Sequence, residues 1–131
     1  MNELRLKIGS VILNVDLLDT PTAKEIFKQA PFNSNARTWG DEVYFSTPVS
    51  VNKEPDARDI VKEGELAFWV EGQCIAIGFG PTPISIKDEI RLAEATNIWG
   101  KTQDDVTLLK KAHDNDLVIV EKGEDVLFTT I

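Results

Sequence analysis

The sequence has little of the residues that carry much of protein chemistry. Its 131 residues include one cysteine, Cys74, and one histidine, His113. A single cysteine excludes an internal disulfide and a multi-cysteine zinc site. A single histidine excludes the paired-histidine metal motifs and leaves any histidine-based triad dependent on one residue. We therefore expect neither a metal nor another cofactor.

Basic residues are also scarce. Fourteen Lys and Arg stand against 22 Asp and Glu, which gives a formal net charge of −8. An acidic surface repels phosphate backbones and anionic lipid headgroups. We therefore expect neither a nucleic-acid partner nor a membrane partner.

Long hydrophobic runs are missing as well. No apolar run approaches the roughly 18 residues that a membrane helix needs, and no apolar signal core follows the opening MNELRLK. The sequence therefore predicts a cytoplasmic protein. Its length is that of one domain, so we expect residues 1–131 to fold together.

Three pairs of alternating apolar segments predict three β-hairpins. The first joins residues 4–8 and 11–15 through a turn at 9–10, and the second joins 66–70 and 75–79 through 71–72. The third joins 117–120 and 126–131 around 122–124. A further strand is expected at 43–45 and a short one at 98–100, while 85–97 is either strand or loop and 32–38 is expected to be a loop.

The sequence contains fewer signals for helices than for strands. Residues 21–30 place apolar side chains at 23, 26, 27 and 30 on one helical face, which predicts an amphipathic helix. Pro21 suits its first position, and Thr22 with Glu25 matches a capping box. One helical turn is expected at 57–62, and a second helix at 102–112 with Thr102 as its cap. Because hairpins outnumber helices, we predict a mainly β protein, a closed antiparallel barrel with one or two short helices.

Four sequence blocks resemble the signature blocks of the compact, stand-alone cyclophilin-like domains of bacteria and archaea. They are TWGDEVYF (38–45), GELAFW (64–69), FGPTP (79–83) and NIWGK (97–101). They follow one another in the family's order over essentially the whole chain. The resemblance implies a small β-barrel of cyclophilin type and a prokaryotic source, and it implies no settled activity.

The larger cyclophilins catalyse prolyl isomerisation, which requires an apolar slot for proline and an arginine that hydrogen-bonds the prolyl nitrogen as the amide twists. The family's Gln-Phe-Phe-Ile pattern is similar to residues 73–76 here, but both phenylalanines are replaced. Arg37 is the only arginine near the expected catalytic position. It is a candidate catalytic residue, an arginine for a ligand carboxylate, or a solvated loop residue.

Five further residues are candidates for ligand binding. On a strand, Glu42 shares a face with Tyr44, whereas Asp41 points the other way with Val43 and Phe45, so Asp41 and Glu42 cannot act as a carboxylate pair. Glu42 is a pocket base or a charge at the rim. Aromatic side chains at a barrel mouth stack on a ligand or cap the core. The candidate ligand-binding residues are Trp39, Glu42, Tyr44, Phe79 and Trp99.

Three hypotheses for function follow. The first is a binding module that holds a peptide or a small ligand in a groove at the side of the barrel. The second is a weak peptidyl-prolyl cis/trans isomerase. The third is a scaffold or oligomer subunit. We favour the first, because the fold's blocks are kept while the catalytic positions are altered.

Overall fold

The computed structural model describes residues 3–123. Within that range the chain forms ten strands, one α-helix and one 3₁₀ helix. The helices are α1 (Pro21–Gln29) and a 3₁₀ helix at Val106–Lys111. The strands are β1 (Glu3–Ile8), β2 (Val11–Leu17), β3 (Phe32–Asn35), β4 (Arg37–Thr38), β5 (Glu42–Ser46), β6 (Arg58–Val61), β7 (Glu65–Trp69), β8 (Cys74–Gly78), β9 (Ile90–Lys101) and β10 (Leu117–Lys122).

Nine of these strands form one antiparallel sheet in the order β3-β10-β1-β2-β9-β7-β8-β5-β4. The sheet curls until its two ends approach each other, and the hydroxyls of Ser34 on β3 and Ser46 on β5 lie 3.3 Å apart across that gap. The result is the nearly closed, mainly β barrel that the sequence predicted.

Two predicted hairpins are confirmed. β1 and β2 pair around residues 9–10, and Gly9 has a positive φ of 59° that suits its turn. β7 and β8 pair around residues 70–73. Of the third hairpin, β10 is present and pairs with β1, while its expected second strand, 126–131, lies outside the described residues.

The core fills the inside of the barrel because alternate strand residues point inward. Every second residue of β1 and β2 is buried, and the same alternation on β5, β7 and β8 supplies the opposite wall. Helix α1 covers one end of the barrel with Ile26, which is fully buried. Phe27 is only half-buried, and the Lys122 ammonium lies 4.7 Å from the centre of its ring.

The start of α1 corrects one prediction. Pro21 occupies the first turn as expected, but the N-cap is Thr20, whose side chain accepts a hydrogen bond from the Ala23 amide at 3.1 Å. Thr22 is instead buried and donates to the Glu54 carboxylate at 2.5 Å. The predicted capping box between Thr22 and Glu25 was therefore wrong, because Thr22 packs against the segment that precedes β6.

The largest difference from the sequence predictions is an outer ribbon, formed by β6 and the first half of β9. Residues 58–61 are a strand rather than the predicted helical turn, and they pair with residues 90–96. The second half of β9 continues into the barrel, where it pairs with β7 and β2. The sequence predicts a short strand at 98–100 and leaves 85–97 as strand or loop, whereas residues 90–101 form one 12-residue strand.

The ribbon lies against the outer face of the barrel. Its side chains Val61, Ile90 and Leu92 form a second apolar cluster with Ala67 and Ala76, which face away from the main core. Gly78 allows this approach, because a Cβ there would collide with the Ile90 side chain. The barrel therefore has an inner core and a smaller apolar layer on one outer side.

Two other segments also differ from expectation. Residues 32–38 contain the short strands β3 and β4 rather than a loop, since β10 and β5 offer them backbone partners. The second helix is a 3₁₀ helix capped by Asp105 rather than by Thr102, although Val106 and Leu109 point inward as predicted.

Candidate functional site

The candidate site lies on the outer face of the barrel, beside the outer ribbon. On β5, Val43 and Phe45 are fully buried in the core, so Glu42 and Tyr44, which alternate with them, point outward. The prediction that Glu42 and Tyr44 share a face is therefore confirmed. In the β5–β8 register, Glu42 lies opposite Gly78 and Tyr44 lies opposite Ala76, which leaves open space beside both side chains.

A cavity of about 190 Å³ occupies that space. Its floor is the outer face of β5, β7 and β8, and one wall is the ribbon half of β9. The lining is mostly apolar and includes three aromatic side chains. The residues that line this outer pocket are Trp39, Glu42, Tyr44, Trp69, Cys74, Ala76, Leu92, Ala93, Glu94 and Thr96.

Glu42 is the chemically distinctive residue of the outer pocket. Its exposed fraction is 6%, and its Oε1 atom is buried without a hydrogen-bond partner in the described part of the chain. Burial raises the pKa of Glu42 to about 7 from its ordinary 4.5, because an apolar environment disfavours the charged form. The carboxyl group therefore changes protonation state near neutral pH.

A second buried glutamate shows what Glu42 lacks. Glu65 is 7% exposed, but both of its carboxylate oxygens bind the Arg58 guanidinium, at 2.8 and 2.6 Å. That partner holds the pKa of Glu65 below its usual range. A buried carboxylate normally has such a partner, so the unsatisfied Glu42 side chain is an exception among the buried carboxylates of the described residues.

Cys74 borders the same pocket. Its thiol is buried and donates a weak hydrogen bond to the Gly72 carbonyl at 3.3 Å. Burial, with a smaller effect of the Glu42 charge, raises the pKa of the Cys74 thiol. A thiol of this kind is a neutral wall residue rather than a nucleophile.

The mouth of the outer pocket is built from aromatic and polar groups. The Trp69 indole N–H donates to the Glu94 carboxylate, which ties the end of β7 to the ribbon. Trp39 lies at the other side, in a turn held by Gly40 at a positive φ of 58°. A Cβ on Gly40 would approach Pro83 Cδ to 2.7 Å, so the turn and the 81–83 segment fit together only with glycine.

The predicted ligand-binding residues divide into two groups. Trp39, Glu42 and Tyr44 meet in the outer pocket. Phe79 is 6% exposed and Trp99 is fully buried, and both belong to the inner core. The Trp99 indole N–H donates to the Ala67 carbonyl at 3.1 Å inside the barrel. These two aromatics stabilise the barrel and do not line the pocket.

Arg37 lies at the edge of the same outer face. It pairs with Tyr44 across β4 and β5, so both side chains leave the sheet on one side. It is exposed and lines a neighbouring groove that shares Tyr44 and Cys74 with the outer pocket. Arg37 therefore lies beside the outer pocket but does not line it.

Sequence reasoning missed most of the ribbon side of the pocket. Leu92, Glu94 and Thr96 lie in segment 85–97, which the sequence predicts as either strand or loop. The available signal was the row of small outward-facing residues on β7 and β8, Ala67, Ala76 and Gly78, because small residues make room for a covering element. In the described residues, no cluster of three or more potential ligands could hold a metal ion.

The comparisons with known proteins agree with this fold. The chain belongs to the Cyclophilin-like family, whose model matches residues 2–121. It is similar to the solution structure of a hypothetical protein from Archaeoglobus fulgidus, with 38% identity, a TM-score of 0.80, and coverage of 92% of this chain and 94% of that one.

A more distant structure is McbB in complex with tryptophan. It shares 14% identity and a TM-score of 0.69, and the match covers 93% of this chain and 45% of the McbB chain. That likeness concerns the fold alone. No curated protein matches the sequence significantly. None of the helices in residues 3–123 has the length and hydrophobicity to cross a bilayer.

Proposed function

We propose that this protein is a ligand-binding domain whose outer pocket takes one apolar group of a small molecule or a peptide. The observation that carries the proposal is the unsatisfied carboxyl of Glu42 at the base of an aromatic-lined cavity. Ligand sites are typically concave and apolar, with a few polar groups that fix the ligand's orientation. The outer pocket has this composition.

The size of the pocket limits what enters it. Its volume of about 190 Å³ is close to that of a cavity of about 150 Å³ that holds benzene. One ring or one medium-sized side chain therefore fills it. The rest of a larger ligand would lie across the mouth, towards the groove that Arg37 lines. McbB, which shares the fold, is known in complex with tryptophan, a small aromatic molecule.

A blocked variant tests the proposal. Ala76 lines the pocket floor and is 3% exposed, so Ala76→Leu should fill the cavity. Thermal unfolding is followed with a panel of single-ring compounds. A compound at 100 times its Kd raises the free energy of unfolding by about 2.7 kcal/mol. We expect such stabilisation in wild type and in the control Ala95→Leu, which lies on β9 outside the pocket lining, but not in Ala76→Leu. Equal stabilisation of all three proteins, or of none, contradicts the proposal.

Weak prolyl isomerisation is the second candidate function, and one observation favours it. Arg37 and Tyr44 leave the sheet on the same side, next to an apolar pocket. The barrier arises from amide resonance, about 18–20 kcal/mol, and an arginine lowers it only when proline is held against it. The floor of the pocket carries Ala76 rather than a fitted aromatic slot.

A coupled peptide assay separates the two functions. We expect wild type to give little acceleration of prolyl isomerisation and Arg37→Ala to give the same rate. Strong acceleration that Arg37→Ala abolishes, with an unchanged circular dichroism spectrum, would make the protein an isomerase instead.

A further inference from the structure

Glu42 and its surroundings restrict the chemistry of the ligand. The buried Oε1 atom is a hydrogen-bond acceptor without a donor in residues 3–123. Leaving such an acceptor unsatisfied costs free energy that a donor on a ligand would recover. A ligand group that fits the pocket should therefore carry an N–H or O–H at the end that reaches Glu42.

The charge of the pocket lining indicates whether the donor group of the ligand is cationic, neutral or anionic. The outer pocket holds two carboxylates, Glu42 and Glu94, and no basic residue among those that line it. The whole chain carries a net charge of −8. Both the local and the overall potential oppose an anionic ligand and favour a cation.

The other titratable groups near Glu42 do not replace a ligand cation. On β5 and β8 the facing groups are Tyr44 and Cys74, and neither carries a positive charge. On the ribbon, Glu94 accepts the Trp69 N–H, and Arg91 is bound to Glu89 at 2.5 Å and to Asp59 at 3.0 Å. The remaining cations of the neighbouring elements are Arg58 of β6, which binds Glu65, Lys101 at the far end of β9, and Arg37 of β4, which lines the adjoining groove. Lys53, in the segment before β6, interacts with the charge of Glu94 but is bound to Glu71 at 2.8 Å and does not line the pocket.

The aromatic lining supplies a second preference for a cation. Trp39, Tyr44 and Trp69 surround the same cavity. The faces of such rings attract organic cations, and desolvation strengthens the attraction. A hydrocarbon group next to the charge would occupy the apolar part beside Ala76 and Leu92.

We propose that the outer pocket binds a small organic ammonium ion, whose N–H groups donate to Glu42 and whose hydrocarbon part packs against Trp39, Tyr44 and Trp69. This inference rests on the proposed function. An ammonium ion supplies both the missing donor and the missing counter-charge. A quaternary ammonium supplies only the charge, and an alcohol supplies only the donor.

The proposal makes binding depend on pH in a defined direction. The ammonium ion needs an ionised Glu42, whereas the free protein holds this carboxyl largely protonated below its pKa of about 7. Affinity should therefore rise with pH between 6 and 8, as long as the amine itself stays protonated, and binding at pH 6 should release close to one proton.

Three single-ring compounds test the inference by calorimetry: benzylamine, benzyl alcohol and benzoate. For wild type at pH 8 we expect benzylamine to bind roughly tenfold or more tightly than benzyl alcohol, because hydrogen bonds to charged groups are the stronger ones, and benzoate to bind least. Titrations at pH 6 in buffers of different ionisation enthalpy should report the released proton. This measurement needs no variant.

Two variants identify the group involved. Glu42→Gln keeps the shape of the side chain and should remove most of the benzylamine preference and its pH dependence, with little effect on benzyl alcohol. Glu63→Gln removes the same charge from an exposed turn outside the pocket lining and should leave all three affinities unchanged.

The results separate this inference from the proposed function. Equal binding of benzylamine and benzyl alcohol, a preference for benzoate, or no proton release at pH 6 would overturn the ammonium ligand while the pocket remained a binding site. If none of the three compounds bound to wild type, both would fail.

Discussion

Glu42 is the residue at which stability and the proposed ligand binding oppose each other. Its folded-state pKa of about 7 lies above the ordinary 4.5. A carboxyl with a raised folded pKa contributes its full stability below the unfolded pKa and loses it as pH rises through the folded one. The protein should therefore lose stability from this group between about pH 4.5 and pH 7, a range that the cited pKa values define.

The first prediction concerns Glu42→Gln, which removes the ionisation. The rise in the pKa of Glu42 from 4.5 to about 7 corresponds to a loss of unfolding free energy of at most about 3 kcal/mol when the carboxyl ionises. Urea unfolding at pH 5 and pH 8 should show the variant gaining stability relative to wild type by about 1–3 kcal/mol as pH rises. The control Glu63→Gln should show a difference that does not depend on pH. If the stability difference between Glu42→Gln and wild type did not change with pH, the Glu42 carboxyl would not be buried in solution.

The second prediction concerns the Cys74 thiol. Because burial raises its pKa and it is 8% exposed, iodoacetamide should label the native protein at least about tenfold more slowly than the urea-unfolded protein at the same pH. Mass spectrometry follows the reaction. Equal labelling rates for the native and the unfolded protein would show that the thiol is exposed to solvent and does not line a closed side of the outer pocket.

The outer ribbon is the element that turns a plain barrel surface into a pocket. It approaches β8 at Gly78, and Ile90 occupies the space that a side chain there would need. The third prediction is that Gly78→Ala destabilises the protein by about 1–3 kcal/mol, as overpacking does. Urea unfolding measures the loss.

A double-mutant cycle separates the ribbon contact from an effect on β8 alone. Ile90→Ala removes the side chain that the new methyl group meets, so the double variant should lose less than the sum of the two single variants. Additive losses would show that Gly78 matters for the strand itself rather than for the approach of the ribbon.

Local sequence pattern predicted some elements and not others, for physical reasons. β1 and β2 alternate clearly between buried and exposed residues, and β7 and β8 are short runs that are apolar on both faces. Short turns join each pair, so the residue pattern together with the turn residues was sufficient to predict these strands. The sequence predicts β9 only in pieces, because its first half belongs to the outer ribbon and its second half to the barrel, and its burial pattern changes along the strand. No single period describes such a strand.

The candidate site was predictable only in part for a related reason. The shared face of Glu42 and Tyr44 follows from strand alternation. How deeply the Glu42 side chain is buried depends on the outer ribbon, because residues 58–61 and 90–96 form it and its β9 side chains line the same pocket. Trp99 and Phe79 occur in short glycine-containing segments like that of Trp39, and only tertiary packing places them in the inner core.

At the scale of the whole molecule, the order of the four sequence blocks identified the fold, and the family match over residues 2–121 confirms it. The acidic charge and the scarcity of histidine and cysteine then limit the chemistry that this barrel can support. We propose that the ligand binds in the outer pocket rather than in a second groove, which lies between β2 and α1 and is lined by Leu18, Ala23 and Phe27.

The indole N–H signals of the three tryptophans test this claim most directly, by ¹⁵N-resolved NMR during titration with benzylamine. Trp39 and Trp69 line the outer pocket, while Trp99 is fully buried and serves as an internal control. Single Trp→Phe variants assign the signals. We predict that the Trp39 and Trp69 signals shift with one common affinity and that neither shifts in Ala76→Leu. Shifts confined to amides of α1 and β2, or shifts that persist unchanged in Ala76→Leu, would contradict the account.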